Sequence, residues 1–155
     1  MKTSASQIVL NQMEDNVNQH LGSYNFCWGP NYLGSTELQV ASAFGYVPLV
    51  HKLINEGHDV NESDKNCSNH KVALHYASSE NKPEVVKILI DSGADVNIID
   101  DYTTTAPLHI SASKGYTKVT QLLLENGAEV DLKGSEGETP LAQAALSGHI
   151  LYTIE

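Results

Sequence analysis

Four segments of this chain repeat nearly the same phrase at nearly the same interval. A chain built that way folds by stacking like units instead of gathering around one central core. The segments are "STELQVASAFGY" from Ser35, "KVALHYASSENK" from Lys71, "TAPLHISASKGY" from Thr105 and "ETPLAQAALSGH" from Glu138. Their shared leucine falls at Leu38, Leu74, Leu108 and Leu141, giving separations of 36, 34 and 33 residues. A second phrase keeps step with the first: "INEGHDVN" from Ile54, "IDSGADVN" from Ile90 and "LENGAEVD" from Leu124. Two phrases on one period predict a tandem array.

Each unit has a physical grammar. Thr139-Pro140 supplies an N-cap oxygen followed by a residue whose φ is already set for a first helical turn. The short helix that follows carries small residues, among them Ala41, Ala77, Ser111 and Ala144, which let a neighbouring helix approach closely. Gly45, Gly115 and Gly148 stand where such a helix would end in a left-handed residue, with Asn81 as the substitute in the second unit. A second amphipathic stretch comes next: Leu49, Val50, Leu53 and Ile54; Val85, Val86, Leu89 and Ile90; Val119, Leu122 and Leu123. Spacings of three and four place each set on one helical face. Gly57, Gly93 and Gly127 close those helices, and "DVN" or "EVD" leads out in extended form.

This pattern resembles the ankyrin repeat, with its D-x-x-G-x-T-P-L-H-x-A, turn, V-V-x-L-L-L helix and G-A-D-V-N. The likeness is close in "APLHISASKGYTKVTQLLLENGAEVD" and covers roughly residues 31 to 155. It implies an all-α solenoid of helix-turn-helix units joined by short β-hairpin loops, with repeats near 31–66, 67–100, 101–133 and 134–155. The departures are Glu37 and Gln39 in the first unit, Val72-Ala73 in the second and Ala142 in the fourth. The linker "NESDKNCSNHK" is about two residues longer than later ones and should bulge. Residues 1–30 read as an N-terminal capping helix and an aromatic loop. In the helix, Val9, Met13, Val17 and Leu21 repeat every four residues before Gly22. The loop, "YNFCWGPNY", holds four aromatics including Trp28; it can plug the end of the solenoid or serve as a recognition surface. "SGHILYTIE" stops inside what should be a second helix, so the expectation is a truncated last repeat and a native chain that continues.

Composition removes several function classes. The formal net charge is -10, and all nine basic residues are lysines, so no guanidinium is present to fork onto phosphate or guanine. Nucleic acid and anionic membranes are therefore poor partners. Cys27 and Cys67 form no C-x-x-C pair, which suits a reducing, intracellular and cytoplasmic setting, or a host cytoplasm for a delivered effector.

Candidate chemistry is sparse. No nucleophile elbow, phosphate loop or dinucleotide fingerprint occurs. His51 and His58 are seven apart, which fits no zinc spacing, so neither metal nor cofactor is expected. The pairs Asp100-Asp101 and Glu14-Asp15 are adjacent, hence divergent, and read as solvated surface. By the resemblance, His75 and His109 are structural, each bridging backbone groups of adjacent units through both ring nitrogens.

What remains is surface. By the same resemblance, a partner protein is bound through hairpin tips and inner helices, without catalysis. The candidate binding residues are Tyr32, Leu33, Phe44, Ser68, Asn69, Lys71, Ser79, Glu80, Tyr102, Thr103, Thr105, Ser113, Lys114, Glu136 and Glu138. Leu146 and Ser147 occupy the inner-helix positions of the last unit. Tyr32, Phe44 and Tyr102 are the expected anchors, although Phe44 can instead pack on Trp28 or Tyr32. Asn61 and Asn97 sit in the context in which ankyrin asparagines are hydroxylated; the same residue type also caps a turn with its side chain. The expected protein is a monomeric scaffold able to associate through its exposed C-terminal repeat. The alternative is the recognition domain of a larger enzyme or of a bacterial or viral effector, with any catalytic part elsewhere.

Overall fold

The computed structural model describes residues 4–21, 36–63 and 70–149. Among them lie eight helices and no strand: α1 (Ala5–Leu21), α2 (Glu37–Phe44), α3 (Val47–Asn55), α4 (Ala73–Ser79), α5 (Pro83–Asp91), α6 (Pro107–Ser113), α7 (Thr117–Glu125) and α8 (Pro140–Leu146). Helices α2, α4, α6 and α8 form an inner layer in which each touches the next, and α3, α5 and α7 form the outer layer. The helix α1 packs on α2 and α3 at the N-terminal end.

The layers follow from residue size. Ala41, Ala77, Ser111 and Ala144 occupy one position in successive inner helices, and all four are fully buried. Only side chains this small let neighbouring backbones approach so closely. The outer helices bury Leu49, Val50 and Leu53; Val85, Val86 and Leu89; and Val119 and Leu123. Thr120 completes the last set although polarity hides it from a hydrophobic pattern. Its hydroxyl donates to Ser111 Oγ at 3.0 Å, and Ser111 Oγ donates to the Leu108 carbonyl at 3.3 Å. A buried hydroxyl relayed in this way carries no desolvation penalty for an unmade bond.

Helix starts are capped in two ways. Thr36 and Thr139 accept from the backbone N–H three residues on, at Gln39 and Ala142. In α4 and α6 the cap residues are Val72 and Ala106, whose side chains have no acceptor; His75 Nδ1 and His109 Nδ1 instead accept the cap residue's own N–H at 3.2 and 3.3 Å. Helix ends are uniform. Gly45, Gly115 and Gly148 lie at φ 75°, 70° and 79°, and Asn81 at 53°. The next N–H then returns to a carbonyl five residues back, from Tyr46, Lys82, Tyr116 and His149 at 2.8 to 3.0 Å. A Cβ on Gly45 would meet Lys82 Cδ at 2.9 Å, and one on Gly115 would meet His149 Nδ1 at 2.8 Å.

Two expectations need adjustment. The apolar stripe of α1 packs only toward its C-terminal half: Val17 is buried and Met13 partly so, while Val9 is half exposed. Glu14 is no solvated bystander, because it pairs with Lys52 of α3 and joins the two helices. That carboxylate holds the Lys52 ammonium above its ordinary pKa. The aromatic loop, the expected bulge at 64–69 and everything after His149 lie outside the described residues.

Asn81 carries the only left-handed helix stop among these four that is not glycine. Asn81→Gly should therefore raise stability, by up to about 1 kcal/mol, because a Cβ in that region costs free energy. Gly115→Ala should lower it by about 1 to 2 kcal/mol for the same reason, with His149 adding crowding. Urea unfolding of both variants measures the pair of opposite signs.

Candidate functional site

Two polar side chains inside the array, Gln39 and His75, join its units. In α2, Gln39 Oε1 accepts the Thr36 N–H at 2.8 Å, while its Nε2 donates to the carbonyls of Glu62 and Lys71 at 2.7 and 3.1 Å. In α4, His75 does the same with a ring: Nδ1 accepts from Val72 N–H and Nε2 donates to the Thr105 carbonyl at 3.0 Å. Lys71 and Thr105 each stand just before the next unit's cap residue, so the glutamine and the histidine make one bridge by different chemistry. His109 repeats the backward half only. Its buried Nε2 has no hydrogen-bond partner; the Glu138 carbonyl, counterpart of Thr105, accepts from Gly134 N–H and not from the ring. In α8, Ala142 has no side chain to reach with.

A second ladder runs along the turns after the outer helices. Asn61 Nδ2 donates to the Gly93 carbonyl at 3.1 Å and its Oδ1 accepts Asp95 N–H at 2.9 Å. Asn97 repeats both bonds with Gly127 and Glu129, at 3.1 and 2.8 Å. The backbone N–H groups of Asn61 and Asn97 donate to Asp59 and Asp95. A primary amide is the group that can both donate and accept here. These side chains therefore reach the following unit instead of closing their own turn, and the signal was in the sequence: the same residue recurred at the same step.

The hairpin tips are locked from within. Asp100 is fully buried, which corrects its assignment to solvated surface. Its carboxylate accepts from Tyr102 N–H at 3.1 Å, Thr103 N–H at 2.6 Å and the Thr103 hydroxyl at 2.5 Å, and its own N–H donates to the Thr105 carbonyl. Its neighbour Asp101 remains exposed and pairs with His70. In the last tip Lys133 stands at the position of Asp100, and the Glu138 carboxylate folds against Gly134, accepting from Glu136 N–H at 2.9 Å and Gln143 Nε2 at 3.0 Å. Its own backbone N–H, then Gln143 and Glu136, hold the Glu138 carboxyl below the ordinary carboxylate range.

The candidate recognition residues divide accordingly. Tyr32, Leu33, Ser68 and Asn69 lie outside the described residues. Ser79 and Lys114 are brought together but engage each other: Lys114 Nζ donates to the Ser79 carbonyl and hydroxyl at 2.8 and 2.9 Å and sits 5.8 Å from the Tyr116 ring centroid. A cation there also suits the negative end of α4. Phe44 is half-buried, stacked on Tyr46 at 5.4 Å and edge-on to His20 at 4.8 Å. Ser113 donates to the Ile110 carbonyl, Lys71 and Thr105 lend their carbonyls to the bridges, and Glu138 is folded into its tip. Glu80, Tyr102, Thr103 and Glu136 are exposed. Tyr102 is 73% exposed on the locked third tip, and Leu146 of α8 is 85% exposed. Among the described residues no group of three or more His, Cys, Asp or Glu side chains is placed to hold a metal, and no helix is long and apolar enough to cross a membrane.

The profile described as ankyrin repeats (3 copies) matches residues 6–100, 38–134 and 74–153. Part of the chain is also similar to two curated proteins. The E3 ubiquitin-protein ligase hecd-1 of Caenorhabditis elegans is 38% identical over 74 residues, 48% of this chain and 3% of that protein. The E3 ubiquitin-protein ligase Ufd4 of Drosophila melanogaster is 38% identical over 69 residues, 44% of this chain and 2% of that protein.

Burial pushes the His75 imidazole down from its ordinary 6.5 to about 4, against the hydrogen bond to Thr105 that favours the charged form. Unfolded chain takes up the proton near 6.5 and folded chain does not, so the contribution is complete above about pH 6.5. It is lost as pH falls from there through about 4, and amounts to about 3 kcal/mol. His75→Gln should copy Gln39, keep both bonds, and hold stability at pH 7 to within about 1 kcal/mol. The advantage of wild type over the variant should shrink or reverse between pH 6.5 and 4; parallel pH curves for the two proteins would show that His75 is not held as a neutral bridge.

Proposed function

The chain belongs to the ankyrin-repeat family, whose units mediate protein–protein interaction, and on that premise we propose that it is a non-catalytic scaffold gripping a partner protein through its hairpin tips and inner helices. The observation that carries the reading is Tyr102, held out on a tip whose backbone is fixed by the buried Asp100. A rigid aromatic supplies contact area at small entropic cost. Leu146, on the inner layer, extends the surface. The buried groups that could suggest chemistry, His75, Gln39 and Asp100, are instead committed to backbone partners, which supports binding over turnover. The acidic balance makes another protein the partner rather than nucleic acid, and a monomer is the simplest unit.

Asn61 and Asn97 stay candidates for hydroxylation. Each amide is engaged on both sides, so modification requires the turn to open locally. One further reading is favoured by the two ligase matches, in which an equally small portion of a large protein is similar to this chain. Under it the array is the recognition part of a larger enzyme, and a transcript that reads on past codon 155 into a further domain would support it.

Affinity capture with wild type and with Tyr102→Ala combined with Leu146→Ser tests the surface. Both side chains are exposed, so the fold should survive. Loss of an anchor of this kind costs about 2 kcal/mol, enough to weaken retention about thirtyfold. Equal recovery of the same proteins by both baits would place the binding surface elsewhere.

A further inference from the structure

The sequence has a single Asn-Gly pair, Asn126-Gly127, and the fold sets it at the end of α7. Both residues are exposed, as are their counterparts Glu56-Gly57 after α3 and Ser92-Gly93 after α5. Those two pairs are exposed although further units follow them, so the exposure belongs to the turn and not to its place in the array. Gly127 lies at φ 88°, and no atom comes within 4 Å of the point where a Cβ would stand. With no side chain at Gly127 and open space around it, a ring closing between the two residues meets no obstruction.

Two hydrogen bonds hold the pair in its resting form. Asn126 Nδ2 donates to the Leu122 carbonyl at 2.7 Å, and Gly127 N–H donates to the Leu124 carbonyl at 3.2 Å. Both close the last turn of α7, and helix ends are the part that frays first. Opening that turn frees a nucleophile and an electrophile together. The Gly127 nitrogen, losing its proton to solvent base, attacks Asn126 Cγ; the Cγ–Nδ2 bond breaks and Nδ2 leaves as ammonia with a proton from water. The product is a five-membered succinimide. Water opens it at either carbonyl, giving aspartate or isoaspartate, and nothing is oxidised or reduced.

The products do not suit the place they occupy. A carboxylate cannot donate to the Leu122 carbonyl. It also stands at the negative end of α7, whose last turn has no basic residue, with Glu125 and Glu129 on either side in the chain. Isoaspartate lengthens the main chain by an atom as well, and so displaces the Gly127 carbonyl that accepts from Asn97 Nδ2 at 3.1 Å. The change therefore reaches the ladder that joins the second unit to the third.

We propose that Asn126 is a site of spontaneous deamidation, which loosens the end of α7 and its joint with the second unit as the protein ages. This goes beyond the scaffold function proposed above, because no partner takes part in it.

The test incubates the full chain in mildly alkaline buffer until a synthetic peptide of residues 120–132 has converted fully, then maps the chain by peptide mass spectrometry. Asn126 should by then have converted in part, to a mixture of aspartate and isoaspartate. Asn55 and Asn81, exposed but followed by Glu56 and Lys82, should stay intact. Asn126→Ser, which copies the bond from the Ser92 hydroxyl to the Ile88 carbonyl, should keep the fold and abolish the conversion. In the converted protein, and in Asn126→Asp, hydrogen exchange at the amides of Gly127, Ala128 and Glu129 should be about tenfold faster, with the amides of α4 unchanged. An Asn126 that stays intact in the chain overturns the proposal. Equal conversion at Asn55 or Asn81, or conversion of Asn126 that leaves those exchange rates unchanged, would overturn it as well.

Discussion

A buried side chain that hydrogen-bonds backward to its own helix cap and forward to the next unit's backbone ties the first unit to the second and the second to the third. Inner helices of seven or eight residues are too short to persist alone. Their stability comes from packing against neighbours, and packing of small alanine and serine positions alone would leave register loosely set. The bridges from Gln39 and His75 set it, because each requires the next unit's cap segment to arrive with a carbonyl at one particular place. The asparagine ladder imposes the same condition at the other end of the units.

That division of labour explains where recognition can sit. Gln39 and His75 in the interior are matched to backbone donors and acceptors of adjacent units, whereas Ser42 Oγ, Ser78 Oγ and His109 Nε2 are buried without a hydrogen-bond partner. The tips gain rigidity from the same economy: Asp100 fixes the third tip, and Glu138 folds into the space over Gly134 to fix the fourth. Two residues at different positions thus supply a carboxylate, each to its own tip. Exposed side chains such as Tyr102 ride on these fixed supports without a structural duty of their own.

Much of this was legible in the sequence, for a physical reason: repetition makes each unit a control for the others. The left-handed stops, including Asn81, and the outer stripes follow from aligned positions, and the bridging role of His75 from the resemblance to the ankyrin repeat. What escaped were cases where chemistry was conserved by changing residue type or position. Gln39 looked like a departure but performs the histidine's bridge, since an amide also offers one acceptor and one donor. Thr120 fell outside an apolar stripe that it completes through Ser111. Adjacency does make Asp100 and Asp101 diverge, but the turn points the first inward and the second outward, so only Asp101 is solvated surface. The contact of Lys114 with Ser79 also escaped, since it joins two units at the carbonyl end of α4.

The central claim is that a neutral, singly oriented imidazole joins the second unit to the third, and the His75 ring nitrogens report it directly. Nitrogen-15 chemical shifts followed from pH 7.5 downward should show protonated Nε2 and bare Nδ1, with titration delayed to about pH 4. A ring that exchanges between tautomers at pH 7 and titrates near its ordinary 6.5 would contradict the account.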